Sequence, residues 1–350
     1  MIRSVEPFLR LKRKCNLYQG DALQILQRVL PRHGRVVVLT DVNVEREHPE
    51  VLGDFPRVIL GQGETAKRMT EVSRVCHRLM RLGVDRSWTV LAVGGGVVSD
   101  LAGFIASIYM RGLRFGFVPT TLLAQVDASV GGKNGINLGG YKNMVGCFRQ
   151  PDFVICDSML LHSLPEREFR AGMAEMIKAA IIGNPTLFEE LLLLSNSKLR
   201  SGYRHLDRLI RAAVEVKAEI VRRDEKEEGE RKLLNLGHTF AHAIEKWAPK
   251  YNHGEAVSIG IMIACRISEK LGLISGEEMD LIARQLDSHE LPIRLPSYFR
   301  PKLLRAIQKD KKRAGEKISV ILPKHVGECV IYPMTFEELE ELFPKECGYC

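Results

Sequence analysis

The stretch Trp88-Thr-Val-Leu-Ala-Val-Gly-Gly-Gly-Val-Val-Ser-Asp100 decides the predicted fold class. Its first half is an apolar, β-branched run of the kind that forms a buried parallel strand. The glycines at 94–96 follow at once, and helical spacing continues over about 97–109. Glycines between a strand and a helix let the backbone approach a phosphate at the helix N-terminus, where negative charge is stabilised. A dinucleotide site and a tight structural turn are both open, because Ser99 stands where a G-x-G-x-x-G pattern has its third glycine.

Strand-like runs and helical periods alternate on both sides of this stretch. Further short apolar runs predict strands at 35–40, 57–60, 115–118 and 152–156, and a helical period lies at 64–82. Such alternation implies a mostly parallel sheet with helices on both faces. We therefore predict an α/β fold whose N-terminal domain, at 1–160, is a Rossmann-like parallel-sheet domain.

Helical periods dominate after about residue 160. They lie at 166–182, 186–194, 203–222, 239–247, 255–271, 276–286 and 301–309. Two short runs near the end, at 318–322 and 329–332, predict a small β-hairpin. The second domain, at 161–350, is therefore predicted to be mainly α-helical.

The composition is ordinary for a soluble protein of two domains. The 350 residues are 45% hydrophobic and 27% charged. The first residues carry charge early and lack the apolar core of a signal peptide, and the most apolar helix, at 256–265, is too short to cross a bilayer. We therefore expect a cytoplasmic protein without membrane contact. Its eight cysteines are expected to be free thiols, and a frayed tail explains Cys347-Gly-Tyr-Cys350 better than a redox or metal pair does.

The net charge of +8 raises the question of a polyanionic partner. The basic residues are spread through amphipathic helices with acidic residues between them, and they form no stripe interleaved with aromatic side chains. A small phosphorylated or carboxylated substrate accounts for the charge as well as nucleic acid does. We expect no nucleic-acid partner.

Histidines are concentrated around Leu233-Leu-Asn-Leu-Gly-His-Thr-Phe-Ala-His-Ala-Ile-Glu245. His238 and His242 are four residues apart, so a helix would turn both imidazoles to the same side. His253 follows at loop distance in His253-Gly-Glu-Ala-Val257. Spacing alone predicts either two ligands of one metal site, with a third brought by the fold, or an ordinary hydrogen-bonded pair.

A charged pair interrupts an otherwise apolar helix at Ala174-Glu-Met-Ile-Lys178. A carboxylate and an ammonium that face an apolar interior are costly unless they are paired or used. Glu175 and Lys178 therefore form either a structural salt bridge or part of a site, in which Glu175 would give an oxygen ligand.

The glycine-rich region after the sheet strands carries groups that suit a phosphate or polyol ligand. These groups are Arg111, Arg114, Asp127, Lys133, Lys142 and Asn143. Gly131 and Gly132 lie between two of them and allow close approach of the backbone. The alternative is a surface loop with ordinary solvated lysines.

Together these motifs resemble the 3-dehydroquinate synthase family of the sugar-phosphate cyclase superfamily. The resemblance runs in order along most of the chain, from Asp41 to Asp310-Lys311-Lys312. The motifs that carry it are Gly61-x-Gly63-Glu64-x-x-Lys67, Gly94-Gly-Gly-Val-x-x-Asp100, Pro119-Thr-Thr-Leu-Leu-Ala-Gln-Val-Asp-Ala-Ser-Val-Gly-Gly-Lys133, Lys142-Asn143, Ala174-Glu-x-x-Lys178, Leu234-Asn-x-Gly-His-Thr-Phe240 and His253-Gly-Glu-Ala-Val257. The combination is highly specific for the superfamily and less specific for the individual cyclase.

The resemblance implies a dehydroquinate synthase-like fold, a homodimer, bound NAD and one divalent metal, zinc or cobalt. The implied NAD contacts are Asp41, Glu64, Lys67, Gly94, Gly95, Gly96, Val97, Asp100, Thr120 and Thr121, together with Asp127, Lys133 and Lys142. The implied metal ligands are Glu175, His238 and His253. The implied catalytic residues are Lys133, Lys178, Lys217, Arg231, Asn235 and His242. The implied substrate contacts are Arg111, Asp127, Lys142, Asn143 and one lysine of Lys311 and Lys312, and Arg111 would be lent across the dimer interface.

The resemblance also implies a reaction, which belongs to the shikimate pathway of aromatic amino acid biosynthesis. The substrate is 3-deoxy-D-arabino-heptulosonate 7-phosphate, an anionic sugar acid. NAD takes a hydride from a ring hydroxyl, phosphate leaves by β-elimination, the hydride returns, and the opened ring closes again on carbon to give 3-dehydroquinate. The implied enzyme is therefore a carbon–oxygen lyase in which lysines and arginines position the anions.

Some positions depart from the family pattern, and other functions are open. The departures are Asn134, Tyr141, Ala241 and Lys317-Ile318, none of which removes a charged group from the motifs. The alternatives are a cyclase for sedoheptulose 7-phosphate or glucose 6-phosphate, a metal- and NAD-dependent polyol dehydrogenase, and a nucleic-acid-binding protein. Lys217, Arg231 and Asn235 favour a substrate with a carboxylate.

Overall fold

A computed structural model describes residues 6–11, 15–31, 35–311, 317–344 and 347–348. The chain divides into two compact units. Unit 1 consists of Met1–Pro165 and Gly202–Ala218, and unit 2 consists of Glu166–Ser201 and Glu219–Cys350. The segment Gly202–Ala218 therefore groups with unit 1, although it follows the first part of unit 2 along the chain.

Unit 1 is built on a parallel sheet. Its strands are β1 (Leu9–Arg10), β2 (Asn16–Gln19), β3 (Val36–Thr40), β4 (Arg57–Ile59), β5 (Thr89–Gly94), β6 (Arg114–Pro119), β7 (Lys133–Leu138), β8 (Tyr141–Phe148) and β9 (Phe153–Cys156). Seven of them form one sheet in the order β1-β2-β9-β6-β5-β3-β4, in which only the β1–β2 pair is antiparallel. Every residue of β3 and β5 is buried, as their continuous apolar runs predict. The predicted α/β class is confirmed.

The helices of unit 1 follow its strands. They are α1 (Ala22–Val29), α2 (Val42–Glu47), α3 (Pro49–Leu52), α4 (Met69–Arg81) and α5 (Gly96–Ile108). Most of a later helix, α9 (Tyr203–Arg223), also belongs to unit 1, because Gly202–Ala218 groups with that unit. The single helix predicted at 64–82 is instead a short 3₁₀ turn, Glu64–Ala66, followed by α4. The structure also corrects the glycine-rich loop predicted around Lys142 and Asn143, because β7 and β8 pair there as an antiparallel hairpin.

Unit 2 is mainly helical. Its helices are α6 (Glu166–Gly183), α7 (Pro185–Leu192), α8 (Asn196–Ser201), the end of α9 (Tyr203–Arg223), α10 (His238–Trp247), α11 (His253–Lys270), α12 (Gly276–Ser288), α13 (Arg300–Lys311) and α14 (Phe336–Leu342). Its strands are β10 (Arg294–Leu295), β11 (Ile318–His325), β12 (Glu328–Met334) and β13 (Cys347–Gly348). The predicted terminal hairpin is β11–β12. Helix α11 is buried over most of its length and packs against both α6 and α10.

Two further predictions concern the membrane and the cysteines. Among the described residues, no helix has both the length and the apolar character needed to cross a bilayer. The cysteines at 15, 76, 147, 156, 265 and 329 are free thiols, as predicted. The side chains of Cys347 and Cys350 lie outside the described part of the chain.

Candidate active site

Three side chains of unit 2 form what we call the metal cluster: Glu175, His238 and His253. Glu175 lies on α6, while the two histidines are the first residues of α10 and α11. Oε1 of Glu175 lies 3.2 Å from Nε2 of His253 and 3.7 Å from Nε2 of His238. One ligand atom from each residue lies within 4.8 Å of the other two. One carboxylate oxygen and two imidazole nitrogens form a donor set that suits zinc or cobalt.

Glycines bring the elements of the metal cluster close together. A Cβ on Gly254 would lie 2.3 Å from the Cα of Ala171, so the start of α11 runs directly against the backbone of α6. A Cβ on Gly260 would lie 2.2 Å from the carbonyl oxygen of Gly237, the residue that precedes α10. Gly237 also has a φ of 78°, a left-handed conformation that side chains disfavour. These close approaches set both histidines beside the carboxylate.

The two imidazoles of the metal cluster differ in protonation. Burial, together with the nearby Lys178, lowers the pKa of His238 to about 3, so this ring is neutral at neutral pH. Burial also acts to lower the pKa of His253, but hydrogen bonds to Glu175 and Glu245 outweigh it and raise the pKa to about 9. A neutral imidazole can coordinate a cation directly, whereas a protonated one must first release its proton.

His242 lies one turn along α10 from His238 but outside the metal cluster. The two rings pack edge to face with their centroids 5.6 Å apart, and His242 is exposed. Glu175 is met instead by His253 from α11. The hypothesis that the i, i+4 pair supplies both imidazole ligands is therefore wrong, because helix packing brings a third histidine to the carboxylate.

Glu175 also pairs with Lys178 on the same helix. The ammonium contacts Oε2 of Glu175, and the relative exposures of the two side chains are 3% for Lys178 and 1% for Glu175. The sequence offers a salt bridge and an oxygen ligand as alternatives for Glu175. In the structure they describe different oxygens, since Oε2 makes the salt bridge and Oε1 faces the imidazoles.

Arg231 lies in a loop that Asp224 organises. The carboxylate of Asp224 accepts hydrogen bonds from the backbone N–H groups of Glu228 at 3.0 Å, Gly229 at 2.8 Å and Arg231 at 3.0 Å. These bonds, with that from Arg231 first, lower the pKa of Asp224. The Arg231 side chain is buried, and its guanidinium donates to the carbonyl oxygen of Glu225. The residues from Asp224 to Arg231 thus form an ordered turn.

Two carboxylates that sequence analysis missed contact predicted site residues. Glu227, which has a left-handed φ of 64°, accepts a hydrogen bond of 2.7 Å from Nδ2 of Asn235. Glu245 lies near the end of α10, and its Oε1 is 3.2 Å from Nδ1 of His253. Glu227 lies in a run of charges that gives no signal for a single position. Glu245 could have been found from its i+7 spacing to His238, which places both on one helix face.

A second cluster, which we call the lysine cluster, lies in unit 1 and consists of Lys67, Asp100 and Asn143. Nζ of Lys67 donates to Oδ2 of Asp100 at 2.7 Å and to Oδ1 of Asn143 at 2.6 Å. Burial raises the pKa of Asp100, while Lys67 acts in the opposite direction. Glu64 extends the cluster, since its Oε1 lies 3.6 Å from the same ammonium. The structure thus brings together four of the residues predicted to bind NAD or substrate.

Lys217 and Asp127 form another predicted pair within unit 1. Nζ of Lys217 donates to the backbone oxygen of Asp127 at 2.6 Å and to its Oδ1 at 2.7 Å. Asp127 lies in a single π-helical turn, Ala124–Ala128, and Lys217 lies on α9. The contact joins the segment Gly202–Ala218 to the rest of unit 1.

The glycines at the end of β5 and just after it are required by their surroundings. A Cβ on Gly94 would lie 2.6 Å from the Cβ of Val98, and a Cβ on Gly95 would lie 2.9 Å from Cγ2 of Thr121. Thr121 also caps the next turn, since its Oγ1 accepts a hydrogen bond of 3.2 Å from the backbone of Ala124. These contacts account for a tight turn. A phosphate contact at Gly96, Val97 or Thr120 stays a prediction.

Arg111 lies on a strained turn after α5. Met110, Arg111 and Gly112 all have left-handed φ values, of 48°, 66° and 121°. Arg149 closes this turn, because its guanidinium donates to the carbonyl oxygens of Ala106 at 2.9 Å and Leu113 at 2.6 Å. The exposed side chain of Arg111 is thus presented on a turn held from both ends.

Arg149 also contacts the segment that precedes Lys133. Its backbone N–H donates to the carbonyl oxygen of Gly132 at 2.7 Å. Asn134 reinforces this contact, since its Nδ2 donates to the carbonyl oxygens of Gly132 at 3.0 Å and Arg149 at 2.9 Å. The departure at Asn134 therefore has a structural role. Lys133 and Lys142 are exposed on β7 and β8.

Three further residues, Asp41, Lys311 and Lys312, are predicted to contact NAD or substrate, and the contacts in the structure do not test these roles. Oδ1 of Asp41 caps α2 by accepting hydrogen bonds from the backbone of Asn43 and Val44. Lys311 is the last residue of α13, and its side chain lies outside the described residues, as does the whole of Lys312. The roles of Asp41, Lys311 and Lys312 toward ligands stay predictions.

Comparison with known proteins agrees with this geometry. The chain matches the model of the 3-dehydroquinate synthase N-terminal domain over residues 57–171 and that of the 3-dehydroquinate synthase C-terminal domain over residues 172–313. It is 46% identical over 328 residues to a 3-dehydroquinate synthase of Coxiella burnetii, which covers 90% of this chain and 91% of the relative.

Two solved structures of cyclases share the fold. A 2-deoxy-scyllo-inosose synthase complexed with carbaglucose-6-phosphate, NAD+ and Co2+ has a TM-score of 0.84 and 25% identity, over 97% of this chain and 99% of that one. A 2-epi-5-epi-valiolone synthase from Streptomyces hygroscopicus subsp. jinggangensis 5008, with NAD+ and Zn2+ bound, has a TM-score of 0.84 and 25% identity, over 97% of this chain and 98% of that one. With both family models matched in sequence order and the cluster of Glu175, His238 and His253 in place, the chain belongs to the 3-dehydroquinate synthase family.

Proposed function

We propose that this chain converts 3-deoxy-D-arabino-heptulosonate 7-phosphate into 3-dehydroquinate and phosphate, as a carbon–oxygen lyase of the shikimate pathway. The observation that carries the proposal is the metal cluster, in a chain that is 46% identical to a relative of this name. The steps are oxidation of a ring hydroxyl, β-elimination of phosphate, return of the hydride, and ring opening with aldol closure on carbon.

The proposal includes two cofactors, NAD and one divalent metal. Two similar structures, a 2-deoxy-scyllo-inosose synthase and a 2-epi-5-epi-valiolone synthase, contain NAD+ with Co2+ or Zn2+. Glu175, His238 and His253 would hold the metal, which when bound supplies a Lewis acid for negative charge on a substrate oxygen. Bound NAD supplies a hydride acceptor that is regenerated within each turnover, so no net NADH forms.

The residues of unit 2 position the substrate in this proposal. Lys178 fixes one oxygen of Glu175 and so leaves the other facing the imidazoles. The cations of Lys178 and Arg231 suit the carboxylate and phosphate of the substrate, because charge-assisted hydrogen bonds are short and strong. His242 offers an exposed ring beside the metal cluster, where it can orient a substrate hydroxyl, and Asn235 adds an amide. The leaving phosphate lies next to the C–H bond and can take that proton itself, so we assign no side chain as the dominant base.

Unit 1 supplies the NAD contacts in this proposal. The glycine turn before α5 leaves backbone N–H groups at a helix N-terminus, which suits a pyrophosphate. The lysine cluster offers an ammonium and an amide, and Asp41, Glu64, Thr120 and Thr121 offer oxygen atoms for hydroxyl groups. We accordingly assign NAD binding to the domain at 1–160, and metal and substrate binding to the domain at 161–350.

The oligomer and the location are also proposals. Arg111 is exposed on a turn that Arg149 holds, as expected of a cation offered to a second copy of the chain. We propose a homodimer in which Arg111 contacts the phosphate of the substrate bound by the partner. The biosynthetic role fits a cytoplasmic enzyme without a nucleic-acid or membrane partner.

Phosphate release from the heptulosonate phosphate tests the proposed function. With NAD and zinc or cobalt present we expect stoichiometric phosphate and 3-dehydroquinate. A chelator should stop both, and the metal should restore them. Failure of the metal-loaded protein to release phosphate from this substrate would overturn the proposal.

Parallel reactions separate the alternatives. One similar structure binds carbaglucose-6-phosphate, so glucose 6-phosphate and sedoheptulose 7-phosphate are tested as substrates too. If the protein turns over only a sugar phosphate that lacks a carboxylate, it is a different cyclase. Stoichiometric NADH would identify a polyol dehydrogenase. Salt-sensitive binding of random duplex DNA without turnover would favour a nucleic-acid-binding protein.

A further inference from the structure

The imidazole of His253 is held by a carboxylate on each of its two nitrogens. Nε2 lies 3.2 Å from Oε1 of Glu175, and Nδ1 lies 3.2 Å from Oε1 of Glu245. The side chain of Glu245 is only 10% exposed. Glu245 thus makes this contact from a largely buried position, while the ring of His253 is 32% exposed.

This contact decides which nitrogen of His253 can bind a cation. An ionised carboxylate only accepts hydrogen bonds, so the hydrogen stays on Nδ1 when Glu245 is its partner. Nε2 is then the nitrogen whose lone pair is available to a metal, and it points toward Glu175. A carboxylate behind a ligating imidazole fixes both the tautomer and the orientation of the ring.

His238 is fixed by a different group in the same sense. Its Nδ1 lies 3.2 Å from the carbonyl oxygen of Leu236, which also can only accept. The Nε2 atoms of both histidines are therefore left for the cation. A backbone carbonyl cannot be removed by substitution, but Glu245 can be, so the two histidines provide an internal comparison.

We propose that Glu245 is a positioning residue of the metal centre, which holds Nδ1–H of His253 and keeps Nε2 of that ring turned toward the metal. The inference rests on the proposed function only in requiring a metal at this cluster. Helix α10 then carries a ligand at its first residue and the support of the second ligand two turns later, on the same face.

Metal affinity tests the inference directly. Zinc binding to the metal-free full chain is measured by competition with a chromophoric chelator, for the unchanged chain and for Glu245→Gln. The amide keeps the size of the side chain but loses its charge, and it can turn an NH2 group toward the ring. We expect zinc to bind about 10- to 100-fold more weakly, the range typical when a partner of a metal ligand is changed. Glu245→Asp keeps the charge on a shorter side chain. Its zinc affinity should lie between those of the unchanged chain and Glu245→Gln.

A matched control and a second readout keep this result specific. Glu269 lies on α11, is 35% exposed and pairs with Arg266 at 3.2 Å, so Glu269→Gln removes an equal charge outside the metal cluster and should leave zinc affinity unchanged. The visible spectrum of the cobalt-loaded chain should change in Glu245→Gln, because the ligand geometry changes. Equal zinc affinity of the unchanged chain and Glu245→Gln would overturn the inference while leaving the proposed function intact. Failure of the unchanged chain to bind zinc or cobalt would overturn both.

Discussion

The metal cluster and the lysine cluster both contain buried ionisable groups, but the charges are compensated differently in each. In the lysine cluster, the ammonium of Lys67 is paired with the carboxylate of Asp100 and the amide of Asn143, so the chain supplies both signs of charge itself. In the metal cluster, Glu175 faces two imidazoles whose Nδ1 atoms are already held by other groups. Each cluster thus holds one ion pair within the chain, but in the metal cluster a carboxylate oxygen of Glu175 and two imidazole nitrogens also lie within 4.8 Å of one another, a donor set that suits a divalent cation.

This difference determines what a substitution in each cluster should change. Removal of a side chain from the metal cluster should first lower the affinity for the metal. Removal of the cation from the lysine cluster should first lower the free energy of unfolding, because it leaves the partly buried carboxylate of Asp100 without its partner. Measurements that show the same readout for both clusters would break the comparison.

The largest expected effect is the loss of metal in His238→Ala. Nε2 of His238 lies 3.7 Å from Oε1 of Glu175 and belongs to the group of three donor atoms that could hold a metal ion. Changing a residue that only supports a metal ligand typically lowers metal affinity by about 10- to 100-fold. We therefore expect removal of a ligand itself to weaken zinc binding by more than about 1,000-fold. Metal content after dialysis, measured by mass spectrometry, checks this prediction, and turnover should be lost in parallel.

His242→Ala is the matched control, since it removes the same ring one turn away on α10. We expect this variant to retain its zinc and to turn over more slowly, because His242 packs beside the metal cluster without belonging to it. Equal loss of metal in both variants would show that spacing along the helix, and not the packing of α11, determines the ligand set.

The second effect is a loss of stability in Lys67→Met. The ammonium of Lys67 is 4% exposed and lies 2.7 Å from Oδ2 of Asp100. Its removal leaves a carboxylate that is 21% exposed without a cation, so the cost should be near the lower end of the range for buried pairs, about 3 kcal/mol. Urea unfolding checks this value, and the zinc affinity of the variant should be unchanged.

Lys324→Met provides the control for Lys67→Met. Lys324 pairs with Glu328 at the surface, where the two side chains are 42% and 47% exposed. An exposed pair is worth little, so we expect a change of less than about 1 kcal/mol. If both variants lose the same stability, the lysine cluster behaves as a surface ion pair and the comparison fails.

Local sequence signals predicted most of the elements that carry these clusters. The strands β3 and β5 are continuous β-branched runs, and burial of both faces makes such runs easy to recognise. The hairpin β7–β8 was missed because most residues of β8 are exposed and its sequence does not alternate between apolar and polar residues. Only the pairing of β8 with β7 identifies it as a strand. Asn143 in the lysine cluster lies on that hairpin, and its contact with Lys67 could not be predicted locally.

The ligand set shows the same limit. From the residues alone, His238 and His242 are the obvious pair, since their spacing is the only local signal. The choice of His253 depends on the close approach of α11 to α6 at Gly254, a contact between residues far apart in sequence. The resemblance to a family implies His253 as the second imidazole ligand, and the packing of α11 places this ring beside Glu175.

A third, smaller effect tests whether the position of Arg111 depends on the hydrogen bonds that Arg149 makes to the turn around it. We expect Arg149→Lys to raise the KM for the heptulosonate phosphate by about 10-fold with little change in kcat. The guanidinium bridges the carbonyl oxygens of Ala106 and Leu113 around Arg111, and a lysine cannot make both bonds. A partly exposed charged hydrogen bond of this kind is worth about 1–2 kcal/mol.

A double-mutant cycle separates this effect from a general loss of folding. In an Arg111→Ala background, Arg149→Lys should have little further effect on KM, because the side chain that the turn presents is already absent. Additive effects would show that Arg149 stabilises the unit without positioning Arg111. No effect of Arg111→Ala by itself would instead count against the proposed phosphate contact.

The smallest effect is the release of a proton when zinc binds. Hydrogen bonds to Glu175 and Glu245 raise the pKa of His253 to about 9 in the metal-free chain, above the value of about 6.5 for an unfolded histidine. Its protonated ring therefore stabilises the metal-free fold fully below pH 6.5, and this contribution is lost as the pH rises through 9. Zinc must displace that proton, whereas His238, with a pKa lowered to about 3, has none to lose. Calorimetry at pH 7.5 in two buffers of different ionisation enthalpy should show release of about one proton per zinc, and the apparent affinity should rise with pH up to about 9. Release of two protons would mean that His238 is also protonated in the metal-free chain. Release of none would mean that Glu175 and Glu245 do not keep the His253 ring protonated at this pH.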